Sequence, residues 1–176
     1  MKHIIAFAGS NSSDSINKQL ATYASSLIKD IKVTILDLND FELPIYSKDL
    51  EADKGIPENA TRFLNYIKKS DGIVLSLAEN NGAYSAVFKN LLDWMSRQEA
   101  KTFMDKPMLL MATSPGARGG ASVLAMAQDR FPRHAANLIE TFSLPSFNDN
   151  FSDGKIINTE LQSKLESAIT TFKNSL

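Results

Sequence analysis

Apolar runs of strand length alternate along the whole chain with apolar stripes at helical spacing, and this alternation restricts the fold more than any other feature. His3–Ala8 is the first run; Ile16, Leu20, Tyr23, Ala24, Leu27 and Ile28 then recur on one helical face. Lys32–Leu38 alternates as a strand does, and Phe63, Tyr66 and Ile67 restore the helical period. Gly72–Leu77 is a run of buried-strand type, followed by the stripe Val87, Phe88, Leu91, Leu92 and Met95. Pro107–Ala112 and Leu138–Leu144 are the last two strands, each followed by a helical stripe: Val123, Leu124, Ala127 and Phe131, then Leu161, Leu165, Ile169 and Phe172. Strands that are apolar nearly throughout belong in a sheet covered on both faces. The pattern therefore predicts an α/β fold with a five-stranded parallel sheet between two helical layers. Five strands favour the order 2-1-3-4-5 over a six-stranded dinucleotide-binding arrangement.

The 176 residues suit one domain over 1–176, with no internal repeat or linker. A formal net charge of −1 offers no field for nucleic acid or an anionic membrane. No apolar run reaches bilayer length and no charged-then-apolar leader precedes the first strand, so a cytoplasmic location is expected. The absence of cysteine removes disulfides, thiolate catalysis and cysteine-held metals, so any redox chemistry needs a bound cofactor. His3 and His134 have no partner at metal-ligand spacing and read as structural. Met95, Met104, Met108 and Met111 read as core. The connection Asn39–Pro57 is too long for a plain loop and is expected to be functional or an interface element.

In an open parallel sheet, ligands bind beyond the carboxyl ends of the strands at the switch point, here between the first and third strands. The loop after the first strand, Gly9-Ser10-Asn11-Ser12-Ser13-Asp14-Ser15, crowds small hydroxyl residues before a helix. Such residues cap helices, and a helix start with unpaired N–H groups also holds anions; the segment alone leaves both readings open. The loop after the third strand contains Ala78-Glu79-Asn80-Asn81-Gly82, which permits positive φ. The next one contains Ser114-Pro115-Gly116-Ala117-Arg118-Gly119-Gly120, where glycines let a flat ring approach. Three such loops at adjacent strand ends point to a planar, phosphate-bearing ligand. The G-x-G-x-x-G fingerprint and the P-loop lysine pattern are both missing, which favours a mononucleotide.

At these residues the chain resembles the flavodoxin-like NAD(P)H-dependent FMN reductase family, which includes quinone, chromate and azo-dye reductases. Gly9-Ser10-Asn11-Ser12-Ser13-Asp14-Ser15-Ile16-Asn17-Lys18-Gln19-Leu20-Ala21 is similar to the family's G-S-x-R-x-x-S-x-N-x-x-L-A. Ala78 to Trp94 is similar to P-E-Y-N-G-S-x-P-G-x-L-K-N-x-x-D-W, with Lys89-Asn90 and Asp93-Trp94 in register. Ser114 to Gly120 matches S-x-G-x-x-G-G, and Leu43-Pro44-Ile45-Tyr46 resembles the family's long loop. The resemblance implies a flavodoxin-like three-layer sandwich that binds FMN. Ser10, Ser12, Ser15, Ile16 and Asn17 would hold the phosphate. Ala78, Glu79, Asn80, Asn81 and Gly82 would line the isoalloxazine, and Ser114, Gly116 and Gly119 would pack along its other side. It implies an oxidoreductase that takes hydride from NAD(P)H through flavin N5 and passes electrons to a quinone-like or other small acceptor, with no catalytic side chain. A homodimer or homotetramer is implied too, with the helix of Phe88–Met95 in the contact; Trp94, which follows an apolar helical face, is expected to be buried at a subunit contact.

Some positions depart from the family pattern. Ser12 replaces its arginine, Asn80 its aromatic residue and Ala78 its proline, while Ser85-Ala86 stands for its proline–glycine pair. Losing the arginine's charge-assisted bond costs about 1.5–3 kcal/mol, roughly tenfold to a hundredfold in FMN affinity. A flavodoxin-fold binding or regulatory module with a weakened or lost FMN site is the alternative.

Overall fold

A computed structural model describes all 176 residues, Met1–Leu176. The elements run β1 (His3–Gly9), α1 (Ile16–Ser26), β2 (Lys32–Leu36), a 3-10 turn (Leu38–Phe41), α2 (Lys48–Lys54), α3 (Glu58–Lys69) and β3 (Gly72–Leu77). They continue with β4 (Glu79–Asn80), β5 (Ala83–Tyr84), α4 (Ala86–Gln98), β6 (Pro107–Thr113), α5 (Ala121–Arg130), a second 3-10 turn (Phe131–His134) and β7 (Asn137–Leu144). The chain closes with α6 (Phe147–Asn150), β8 (Phe151–Ser152), β9 (Lys155–Ile156) and α7 (Thr159–Asn174). The main sheet has the order β2-β1-β3-β6-β7, and every pairing is parallel. Counting only those five strands, this is the expected order 2-1-3-4-5.

Alternation along each strand divides the core in two. Ile5, Phe7, Ile73, Leu75, Met108 and Leu110 face one way and pack with Phe63, Phe88 and Val123 from α3, α4 and α5. Ile4, Ala6, Val74, Leu109 and Met111 face the other way and pack with Leu20, Ala24, Leu165 and Phe172 from α1 and α7. The central strands β1, β3 and β6 are buried over nearly their whole length, which explains their uninterrupted apolar runs. Met95, Met108 and Met111 are fully buried core residues, as expected. Each histidine is bonded to a threonine: His3 Nε2 lies 2.9 Å from Thr34 Oγ1, and His134 Nδ1 lies 3.4 Å from Thr102 Oγ1. Burial holds the His134 imidazole below its ordinary pKa.

The segment expected to be a long connection, Asn39–Pro57, carries most of the first 3-10 turn and all of α2, and α4 pins it down. Asn90 Oδ1 accepts from Tyr46 N at 2.8 Å, and Asn90 Nδ2 donates to Pro44 O at 2.9 Å. Trp94 Nε1 donates to the same Pro44 oxygen at 2.8 Å, and its ring meets Tyr46 edge-on with centroids 5.0 Å apart. One helical turn further on, Arg97 pairs with Glu51, which also accepts from the Tyr46 hydroxyl at 3.0 Å. Residues 90, 94 and 97 share a helix face, so the stripe that carries part of the family resemblance is a clamp on this segment. Trp94 is fully buried within its own chain, which corrects the expectation of a subunit contact. Lys89 is exposed and pairs with Asp93 along the helix.

Two short hairpins were not expected. β4 and β5 turn through Asn81 (φ 52) and Gly82 (φ 75), the paired positive φ of a type I′ hairpin, for which Asn-Gly is the favoured sequence. β8 and β9 turn through Asp153 and Gly154 in the same way. Tyr84, at the end of β5, stacks on Phe131 with centroids 6.0 Å apart, and its hydroxyl is buried with no hydrogen-bond partner. Burial pushes its pKa up to about 12. The folded state therefore holds this proton more tightly than the unfolded chain, and native stability falls as pH rises from about 10 towards about 12. Tyr84→Phe keeps the ring and removes the unpaired hydroxyl. Urea unfolding at neutral pH should show it unchanged or stabilised by up to about 1 kcal/mol, and its advantage over the parent should grow above pH 10.

Candidate functional site

At the carboxyl end of the sheet, one buried side chain ties three strands' loops together. Asn17, in the first turn of α1, is 2% exposed. Its Oδ1 accepts from Thr113 N at 3.0 Å and from Ser76 Oγ at 2.7 Å, while its Nδ2 donates to Thr113 O at 3.1 Å. Ser76 lies near the end of β3 and Thr113 is the last residue of β6, so the α1 start is bolted to both. Ser85, the N-cap of α4, donates to Gly9 O at 2.7 Å and joins the end of β1 to the far end of the β4–β5 hairpin. Thr113 Oγ1 donates to Leu144 O at 2.7 Å and brings in the end of β7.

These ties leave a cavity of about 270 Å³ bordered by all three loops. Ser10, Ser12, Ser15, Ile16 and Asn17 line it from the first loop, Ala78, Glu79 and Asn80 from the second, and Ser114 from the third. Asn81, Gly82, Gly116 and Gly119 do not line it. Asn81 and Gly82 form the exposed tip of the hairpin. Gly116 is exposed, and its carbonyl accepts from Gly119 N and Ser146 N. Gly119 is buried against the end of β7: at φ 57 it accepts from Ser143 Oγ at 2.9 Å, and a Cβ there would lie 2.9 Å from Pro145 N. Its missing side chain thus serves packing within the protein, where a flat ligand was expected.

Two further candidates have side-chain atoms committed inside the protein. The Asn17 side chain has both Oδ1 lone pairs and one of its two amide protons committed inside the protein, so its backbone N–H and the second amide proton are left for a ligand. The Glu79 carboxylate accepts from Val123 N in the first turn of α5 at 2.9 Å and so is turned towards the helix. Missed in the sequence were Ser76, Ser85 and Thr113. A hydroxyl inside an apolar strand, such as Ser76, must find a partner, and a serine directly before a helical stripe, such as Ser85, is a cap.

The donor set fits a phosphate. Ser15 caps α1 by accepting from Lys18 N at 3.2 Å, and Ser10 Oγ accepts from Ser12 N at 3.2 Å. The N–H groups of Asn11, Ser13, Asp14, Ile16 and Asn17 donate to nothing in the protein, and of these residues all but Ser13 line the cavity. No cation lines it. Lys18 is held by Asp37, whose carboxyl it keeps below its ordinary pKa, and Arg118 Nη2 donates to Ser122 Oγ at 3.1 Å. The charged lining residues are Asp14 and Glu79, both acidic. An anion would be held by amides, hydroxyls and the α1 dipole alone.

The fold and this cavity define a flavodoxin-like α/β protein with a phosphate-type donor loop at the sheet's switch point. The family profile described as NADPH-dependent FMN reductase matches residues 2–149, and the chain belongs to that family. It is 31% identical to the quinone reductase of Escherichia coli K12 over 80 residues, which cover 46% of this chain and 43% of that protein. It is 30% identical to the NADPH:quinone oxidoreductase of Arabidopsis thaliana over 129 residues, 71% of this chain and 64% of the relative. In both cases the match spans less than two thirds of the relative's own length. Among solved structures, the chain is similar to FerB, a flavoenzyme NAD(P)H:(acceptor) oxidoreductase from Paracoccus denitrificans. The TM-score is 0.78 at 25% identity, covering 99% of this chain and 96% of that one. The apo form of the NADH:FMN oxidoreductase EmoB shares the fold, with TM-score 0.70 at 21% identity, covering 100% of this chain and 90% of the other. No helix of the chain is long and apolar enough to cross a membrane.

Asn17→Ala would leave the Ser76 hydroxyl and the Thr113 N–H and carbonyl buried without partners. The expected cost is about 2–5 kcal/mol, read as a lower urea midpoint at unchanged slope.

Proposed function

We propose that residues 1–176 form one FMN-binding domain that acts as an NAD(P)H-dependent oxidoreductase with a quinone-like or other small molecule as acceptor. The observation that carries this reading is the row of unpaired amides at the start of α1, set in a cavity that Asn17 closes with the ends of β3 and β6. Family membership supports it. In the proposal Ser10, Ser12 and Ser15, with the N–H groups of Ile16 and Asn17, hold the phosphate, while Ala78, Asn80 and Ser114 border the ring. FMN, when bound, supplies hydride transfer at N5 between NAD(P)H and the acceptor. The protein's part is to bind and orient the two partners, and no side chain is asked to move a proton. A cytoplasmic location and a homodimer or homotetramer belong to the same proposal. Ile45, 77% exposed on the segment pinned by Asn90 and Trp94, supports a subunit contact there.

A second reading is favoured by one observation: the cavity is lined by two carboxylates and no cation, with Ser12, Ala78 and Asn80 at positions where the family pattern differs. On that reading the site is a binding or regulatory module that does not turn over. Titration with FMN, followed by loss of flavin fluorescence, should saturate in the micromolar range. NAD(P)H oxidation in the presence of FMN should exceed the free-flavin background. Binding without such oxidation selects the second reading, and no saturation at tens of micromolar FMN removes both. Ser12→Arg places a cation in the cavity lining and should tighten FMN by about tenfold or more, with the gain largest at low salt.

A further inference from the structure

The β4–β5 hairpin and the start of α5 belong to different crossovers, and one hydrogen bond joins them. Helix α5 begins without a capping side chain, because its N-cap is Gly120 in the left-handed conformation. The N–H of Val123, the third residue of the helix, donates instead to Glu79 Oε2 at 2.9 Å, across 44 residues of chain. A carboxylate there gains a charge-assisted bond and the favourable end of the helix dipole. Glu79 is also the first residue of the hairpin, directly after Ala78 in the cavity wall. The hairpin's far end comes close to the same helix turn: a Cβ on Gly82 would lie 3.9 Å from Ser122 Cβ. The hairpin therefore lies along the first turn of α5, with Glu79 fixing its base.

We propose that Glu79 is a positioning residue: its carboxylate latches the hairpin to α5 and sets the spacing between the loops after β3 and β6. The effect on FMN rests on the flavin reading of the cavity, whereas the latch itself does not. Without the latch, the walls formed by Ala78, Asn80 and Ser114 lose their fixed relation, and a ligand must supply the ordering that the protein otherwise provides.

Glu79→Ala removes the acceptor, and Glu79→Gln keeps an acceptor oxygen without the charge. In the flavin-free protein, Glu79→Ala should speed amide exchange at Val123 and in the hairpin by about tenfold with the far-UV spectrum unchanged. Its FMN dissociation constant, from fluorescence quenching, should rise by about tenfold. Glu79→Gln should lie between Glu79→Ala and the parent in both measurements. Parent-like exchange in Glu79→Ala overturns the latch. So does a weakening of FMN binding that is equal in both variants while exchange stays parent-like, because the carboxylate would then be touching the ligand. Should Glu79→Ala fail to fold, faster exchange in Glu79→Gln supports the latch and parent-like exchange overturns it. If the parent shows no saturable FMN binding, the flavin reading falls and the exchange measurement still decides the latch.

Discussion

The amide of Asn17 is the constraint on which the site depends. Parallel strands end in loops that have no reason of their own to converge, since the ladder stops where the strands do. Asn17 continues the pairing by other means. Its carboxamide presents a carbonyl and an N–H to Thr113, as a neighbouring strand would, and accepts the Ser76 hydroxyl as well. With 2% exposure it cannot exchange these partners for water at little cost. The first turn of α1 is therefore fixed relative to β3 and β6, and the free amides around it acquire a definite direction.

The cavity that results is unusual in its charge. The nearby cations are engaged elsewhere: Lys18 with Asp37, Lys89 with Asp93 and Arg118 with Ser122. What remains is a set of neutral donors with Asp14 at the rim and Glu79 turned to α5. Neutral donors are directional, so they act only where the backbone holds them still. On the proposed reading, precision of the loop and strength of anion binding are then the same property, and that places more weight on the Asn17 tie than a site built on arginine would.

The sheet, its order and the five long helices were legible because they follow from hydrophobic period, a property summed over many residues. The loops around the cavity were legible in composition, and nine of the thirteen candidate residues do line it. What the sequence left open shares one cause. Asn17, Glu79, Gly119 and Trp94 are residues whose partners lie far away in the chain: Thr113, Val123, Ser143 and Pro44. Sequence shows that a polar side chain or a missing one is needed, but not whether a ligand or another loop supplies the partner. The same limit hid α2 and the α4 clamp, since Asn90 and Trp94 look like a helix surface until the Leu43–Tyr46 segment is laid over them.

Capping and anion binding, which the serine-rich loop left as rival readings, turn out to be compatible for a geometric reason. A helix start has several unpaired N–H groups, and a cap takes only one of them. In α1, α4 and α5 the amide consumed by a side chain is that of the third residue: Lys18 by Ser15, Phe88 by Ser85 and Val123 by Glu79. In α1 this leaves the amides of Ile16 and Asn17, the first two residues, without protein partners. The cap sets the entry angle of the chain and so aims the amides it does not use. Two of these caps also reach out of their own helix, Ser85 to Gly9 and Glu79 from the hairpin to α5. Residues that look like local helix punctuation are thus the joints between loops, and the shape of the cavity follows from where the helices are capped.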